Sequence, residues 1–203
     1  MSKLLLATNN QAKVREYRSL LQNIPFELVT PAELGITTEV DEVGESLAEN
    51  AKLKATILAS ESQLLALADD SGLEVDALGG EPGRLSARYA GENASDRDRV
   101  NYLLARLKDV PWDERTARFR CVIAISTSDG KVEFCSGECP GIITFEPKGE
   151  QGFGYDPVFY LPELAKTMAE LPPEVKNRIS HRGQAARKVS QVLARLMTDK
   201  HAG

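Results

Sequence analysis

The sequence predicts an α/β fold, and three stretches carry that reading. Residues 3–30 read as strand, helix, strand: an apolar run over 3–8, Val14, Tyr17 and Leu21 at helical spacing, and a second apolar run over 26–30. A helix between two such strands is the usual crossover of a parallel pair. Residues 64–68 form a short apolar run that meets Asp69, Asp70, Ser71 and Gly72, the pattern of a buried strand delivering its last side chains to a sheet edge. Residues 117–135 read as a hairpin turning at Ser128-Asp129-Gly130, with Phe119, Cys121, Ile123 and Ile125 on one face. Such a hairpin extends a sheet with antiparallel strands.

The 203 residues suffice for one sizeable core, as a single domain or two closely joined lobes. A hydrophobic share of 42% beside 27% charged residues is ordinary for a soluble globular chain. No apolar stretch approaches the ~18 residues that span a bilayer. Residues 1–7 lack the longer apolar core and cleavage site of a signal peptide, so no membrane partner is expected and the cytoplasm is the expected compartment. Cys121, Cys135 and Cys139 make an odd count without metal-ligand spacing and read as reduced, buried residues. A formal net charge of −5 argues against sequence-independent nucleic-acid binding, though not against a small phosphorylated ligand held by a few cations.

Taken in order, the turn Thr8-Asn9-Asn10 opens the first helix, with Lys13 one turn in. Its exposed N–H groups suit an anion, and Asn9 or Asn10 equally suits a plain cap. An acidic stretch over 31–45 carries Glu33, Glu39, Asp41, Glu42 and Glu45, a solvated face from which one carboxylate could lean into a metal site. Ser46 and Glu49 have capping-box spacing for a helix to about Ser62, which makes Glu49 structural and leaves Lys54 two turns in. Asp69 and Asp70 side by side repel, so a metal or proton-transfer site is one reading and a turn the other.

Residues 79–91 form a long glycine-rich loop with Arg84 and Arg88, and no P-loop pattern occurs. Ser95 caps a helix whose Val100, Leu103, Leu104 and Leu107 are core. Residues 149–159 surround Phe153, Tyr155 and Asp156 with glycines, a loop suited to stacking on a flat base or to packing on its own sheet. Residues 176–183 gather Lys176, Arg178, His181 and Arg182 ahead of a C-terminal helix with Ala185, Val189, Val192, Leu193 and Leu196 inward. A cluster this dense is usually a solvated face, yet Ser-His-Arg at a helix start would welcome an anion.

These segments also resemble a known family. T-N-N-x-x-K at the N-terminus, A-D-D-S-G-L, P-G-x-x-S-A-R-Y-A-G, G-F-G-Y-D-P-V-F and K-N-x-I-S-H-R-G-x-A occur in the order of the inosine triphosphate pyrophosphatase family, in its bacterial XTP/dITP diphosphatase branch. The resemblance spans the whole chain. It implies a single domain over 1–203 with a long mixed central sheet flanked by helices, two lobes with a central cleft, and a homodimer. It also implies that Thr8, Asn9, Asn10, Gln11, Ala12 and Lys13 hold phosphates, that Glu42 and Asp70 bind Mg²⁺, and that Ser71 contacts substrate. Phe153, Gly154, Tyr155 and Asp156 would line the base pocket, Phe153 stacking on the purine, while Lys176, His181 and Arg182 close over phosphate and base. Asp70 would be the proton acceptor for the attacking water. Asn9 stands where many members carry glycine, and asparagine tolerates a positive φ well.

The implied reaction converts XTP, ITP or dITP to the monophosphate and pyrophosphate, which keeps deaminated purines out of DNA and RNA. A 6-oxo purine offers an acceptor where adenine carries an amino group, and donors left unpaired by the wrong base can reject it by about 10⁴-fold. Alternatives are a pyrophosphatase for modified pyrimidines or methylated GTP, a catalytically silent nucleotide sensor, and a nucleic-acid-binding module.

Overall fold

The structure, a computed structural model, describes residues 2–199. In chain order the elements are β1 (Ser2–Leu6), α1 (Gln11–Leu20), β2 (Phe26–Val29), α2 (Leu47–Ser62), β3 (Leu65–Val75), β4 (Pro82–Gly83), α3 (Asp96–Arg106), β5 (Thr116–Ser126), β6 (Val132–Ile143), β7 (Phe159–Leu161), β8 (Lys166–Thr167), α4 (Pro173–Ile179), α5 (His181–Arg187) and α6 (Val189–Asp199). Hydrogen bonding orders the strands β2-β1-β3-β5-β6-β7-β8, with β4 on β3. The sheet is mixed: β1 pairs in parallel with β2 and β3, whereas β3–β4, β6–β7 and β7–β8 are antiparallel. Among the described residues no helix is long and apolar enough to cross a membrane.

The residues fall into two compact units. The first takes the chain up to Asp70, Cys121–Gly137 and the chain from Arg182 onward; the second takes Ser71–Arg120 and Glu138–His181. Within the first, strand alternation divides the core into two. Leu4, Leu6 and Leu67 pack with Val14 and Tyr17 of α1 and Val189, Val192 and Leu193 of α6. Leu5, Ala66 and Ala68 point the other way, onto Ala51, Ala55 and Leu58 of α2. The second unit gathers Leu73 and Val75 of β3, Val100, Leu103 and Leu107 of α3, and Phe119 and Phe159. The three cysteines are free and buried, as expected.

Four expectations change. The strand at the acidic pair does not stop there: β3 runs on through Asp69-Asp70-Ser71-Gly72 to Val75, so the turn reading is overturned. Its continuation is held by pairing of Leu73 with Gly83. The 79–91 loop is thus interrupted by a strand, and β6 extends to Ile143, well past the expected hairpin end at 135. Finally, the single C-terminal helix is two, α5 and α6, although Ala185, Val189, Val192, Leu193 and Leu196 are all buried as the spacing predicts.

Gly72 shows how closely β3 and β4 approach. A Cβ there would lie 2.3 Å from the Gly83 carbonyl oxygen and 2.8 Å from its carbon, both backbone atoms that cannot swing aside. Gly72→Ala should therefore destabilise the protein by about 1–3 kcal/mol, seen as a lower urea midpoint at unchanged slope.

Candidate active site

The acidic pair lies in β3, where successive side chains leave opposite faces. Asp69 follows Leu67 toward α1, and Asp70 follows Ala68 toward α2, so the two carboxylates do not share one environment. Asp69 accepts from Lys13 Nζ at 3.0 Å on Oδ1 and from Arg182 Nε and Nη2 at 3.3 and 3.2 Å on Oδ2. Arg182 Nη1 donates to Glu16 Oε2 at 2.7 Å, one turn beyond Lys13 on α1. Cys121 Sγ lies 3.9 Å from Asp69 Oδ2, and the Tyr17 hydroxyl 4.0 Å from that sulfur. Burial alone would raise the Asp69 pKa, but the charges of Lys13, Arg182 and Lys54 outweigh it and hold the carboxyl far below its usual range. Burial and the neighbouring Asp69 push the Cys121 thiol up to about 12, which leaves it an inert core residue.

On the other face Asp70 Oδ2 accepts from Asn50 Nδ2 at 3.0 Å, and Asn50 Oδ1 in turn accepts the Gly44 N–H at 2.8 Å. Lys54 Nζ donates to Glu42 Oε1 at 2.8 Å and to the Asp69 carbonyl at 2.9 Å, and lies 3.7 Å from Asp70 Oδ1. Burial raises the Asp70 pKa, Lys54 opposes it and Glu42 adds to it, and the net shift is upward. Lys54 is held charged: burial would lower its pKa, but Asp70, Glu42 and Asp69 raise it. The two acids are thereby pushed apart in strength.

Among the described residues no three or more His, Cys, Asp or Glu side chains gather as a metal cluster. Glu42, Asp70 and the Asp69 carbonyl nevertheless converge as hard oxygen donors on one cation, the Lys54 ammonium. Mg²⁺ takes one or two carboxylates and completes its shell with water and phosphate oxygens, so this donor set fits it.

The α1 N-terminus is capped by Asn10, whose Oδ1 accepts from Ala12 N at 2.9 Å and Lys13 N at 3.2 Å. The Thr8 hydroxyl accepts the Asn10 N–H at 3.2 Å. Asn9, Asn10 and Gln11 are exposed there, and Thr8, Ala12 and Lys13 half-buried.

The second unit holds Ser71 and the aromatic loop. Gly152 and Gly154 take φ of +77° and +64°, conformations open to glycine. Between them the Phe153 N–H donates to Asp156 Oδ2 at 2.9 Å, and Lys176 Nζ reaches the same oxygen at 2.5 Å. That ammonium also lies 4.8 Å from the Phe153 ring centroid. Phe153 is half-buried, whereas Tyr155 is buried with its hydroxyl donating to the Ser86 carbonyl at 2.9 Å, so of the two readings of this loop Tyr155 follows the packed one. His181 stacks on Phe119 at 4.7 Å and 16°. Lys176, His181 and Arg182 are buried while Arg178 is exposed, so three of the four cluster members do not form a solvated face.

Asn50 and Glu16, which contact the acidic pair and its arginine, were not singled out from the sequence, and Lys54 was noted only for its place two turns into its helix. Asn50 and Lys54 stand four apart on the helix face that buries Ala51, Ala55 and Leu58, and polar groups inside an apolar stripe are the signal that could have found them. Glu16 follows Lys13 by three and shares its side of α1.

Comparison with known proteins adds to this geometry. The model of the Ham1 family matches residues 4–192. A Desulforamulus reducens protein named dITP/XTP pyrophosphatase is 53% identical over 194 residues, covering 96% of each chain. A protein of the same name from Escherichia coli K12 is 50% identical over 187 residues, 91% of this chain and 94% of that one. Among solved structures, a HAM1 protein from Coxiella burnetii matches with a TM-score of 0.87 at 41% identity, covering 96% of this chain and all of its own. The Ham1 protein of Staphylococcus aureus matches at 0.85 and 41%, covering 95% and 98%.

Proposed function

Because this chain belongs to the Ham1 family, we propose that it hydrolyses deaminated purine nucleoside triphosphates (XTP, ITP and dITP) to the monophosphate and pyrophosphate. Such an activity cleanses the nucleotide pool before deaminated bases enter DNA or RNA. The observation that carries the chemistry is the splitting of Asp69 and Asp70 onto opposite faces of β3, one locked on Lys13 and Arg182 and the other set beside Glu42 and Lys54.

Water attacks the α-phosphorus, an O–P bond forms, and the bond to the bridging oxygen of pyrophosphate breaks. Asp70 takes the proton that the water loses. Asp69 serves instead to hold Lys13 and Arg182, since an acid so strong is a poor base. Lys13, with the turn Thr8, Asn9, Asn10, Gln11 and Ala12, binds phosphate oxygens, and Ser71 contacts substrate. Glu42 and Asp70 would hold Mg²⁺, which when bound would neutralise charge on the pyrophosphate leaving group. Phe153 stacks on the base beside Gly154, Tyr155 and Asp156. Lys176 and His181 complete the binding set, with Arg182 anchored on Asp69 and Glu16. A homodimer in the cytoplasm accompanies this reading, and light scattering at twice the chain mass is its test.

The deciding experiment measures pyrophosphate and orthophosphate release from dITP, XTP, dGTP and ATP, with and without a chelator. Pyrophosphate from dITP and XTP alone, abolished by the chelator, is the expected result. Orthophosphate, or equal turnover of all four, would overturn the reading.

A further inference from the structure

The aromatic loop is tied down from outside its own motif. The Gly154 N–H donates to Asp96 Oδ2 at 2.7 Å, across 58 positions of sequence but within the second unit. Asp96 is the first residue of α3, yet it is not that helix's cap: Ser95 and Asp98 form the capping box between themselves. The Asp96 side chain turns away and accepts from the loop with one oxygen, while its other oxygen is held by Arg99 Nη2. Arg99 is fixed in turn, its Nη1 donating to the carbonyls of Ala87 at 2.6 Å and Ala94 at 2.9 Å.

The consequence concerns Phe153. Its own N–H is held by Asp156 and the next N–H by Asp96, so carboxylates bracket the residue on successive amides. Tyr155 adds a third anchor through Ser86, whose hydroxyl donates to Gly83 and accepts the Leu73 N–H. A glycine loop with φ of +77° and +64° at its two flanking positions has many conformations to lose, and an aromatic ring binds a base well only if its backbone is already placed. We propose that Asp96, oriented by Arg99, is a positioning residue that fixes the Phe153–Gly154 platform for the purine; this rests on the reading of Phe153 as the base-stacking residue.

The test compares Asp96→Ala, Asp96→Asn and Ser95→Ala in steady-state kinetics with XTP and dITP, alongside hydrogen exchange of the Gly154 amide. Asp96→Ala should raise KM about tenfold with kcat within about twofold, and Gly154 exchange should quicken. Asp96→Asn keeps an acceptor oxygen and should recover most of the KM. Ser95→Ala removes the cap of the same helix and should lower thermal stability without moving KM, which separates positioning from helix stability. An unchanged KM in Asp96→Ala, or an equal rise in Ser95→Ala, overturns the proposal. If the parent releases no pyrophosphate, the functional reading falls instead, and Gly154 exchange alone decides the tether: unchanged exchange in Asp96→Ala refutes it.

Discussion

Asp70→Asn is expected to lower pyrophosphate release from dITP by about 10³-fold or more while dITP binding stays within about threefold of the parent. The substitution is close to isosteric and keeps an oxygen to accept from Asn50, so the α2 contact survives. What disappears is the proposed proton acceptor, which is also one of the two carboxylates proposed for Mg²⁺. The same change should not weaken the fold. Burial raises the folded pKa of Asp70 above its unfolded value, so ionised Asp70 costs stability once the pH exceeds that folded value. Removing it should leave the protein at least as stable at pH 7, and the gain should shrink as the pH falls through the folded pKa, vanishing below the ordinary carboxylate range. Thermal melts at pH 7 and pH 4 read the second effect, single-turnover assays the first. Turnover within tenfold of the parent would sink the assignment.

How far the sequence disclosed this arrangement depends on the kind of signal involved. The parallel β1–α1–β2 unit, the Asn10 cap, the Ser46 and Ser95 caps and the hairpin turn are local and follow from spacing and side-chain chemistry within a few residues. The run of β3 past Asp70 was not legible, because Asp-Asp-Ser-Gly favours a turn until the pairing of Leu73 with Gly83 overrides it. Nor was the burial of Lys176, His181 and Arg182: four cationic or titratable groups in seven residues look solvated unless their partners are known. Those of Arg182 are Glu16 and Asp69, more than a hundred residues away. Lys54 was hidden for the same reason, since its oxygen partners come from the acidic loop and from a strand's main chain. Motif resemblance could point to Asp70 without saying why Asp69 beside it differs. The alternation of β3 supplies that reason.

Arg182→Met should destabilise the protein by about 3–5 kcal/mol, the usual consequence of removing one partner from a buried ionic network. Arg182 is 2% exposed and Asp69 1%, and the guanidinium touches both Asp69 and Glu16, so its loss leaves both carboxylates without the cation they share. The pH dependence has a definite sign. Because the cations hold the Asp69 pKa below its unfolded value, that carboxylate contributes stability above about pH 4 which is lost as the pH falls through the folded pKa. Removing Arg182 raises the folded pKa, so the gap between variant and parent should be widest at neutral pH and narrow on acidification. A double-mutant cycle locates the cause. Asp69→Asn in the Arg182→Met background removes the stranded charge, and the double variant should be more stable than Arg182→Met alone. Urea midpoints at pH 7 and pH 4 for the four proteins of the cycle provide the measurement. A loss below about 1 kcal/mol for Arg182→Met, or a double variant no more stable than it, would mean that the network does not hold Asp69 by charge.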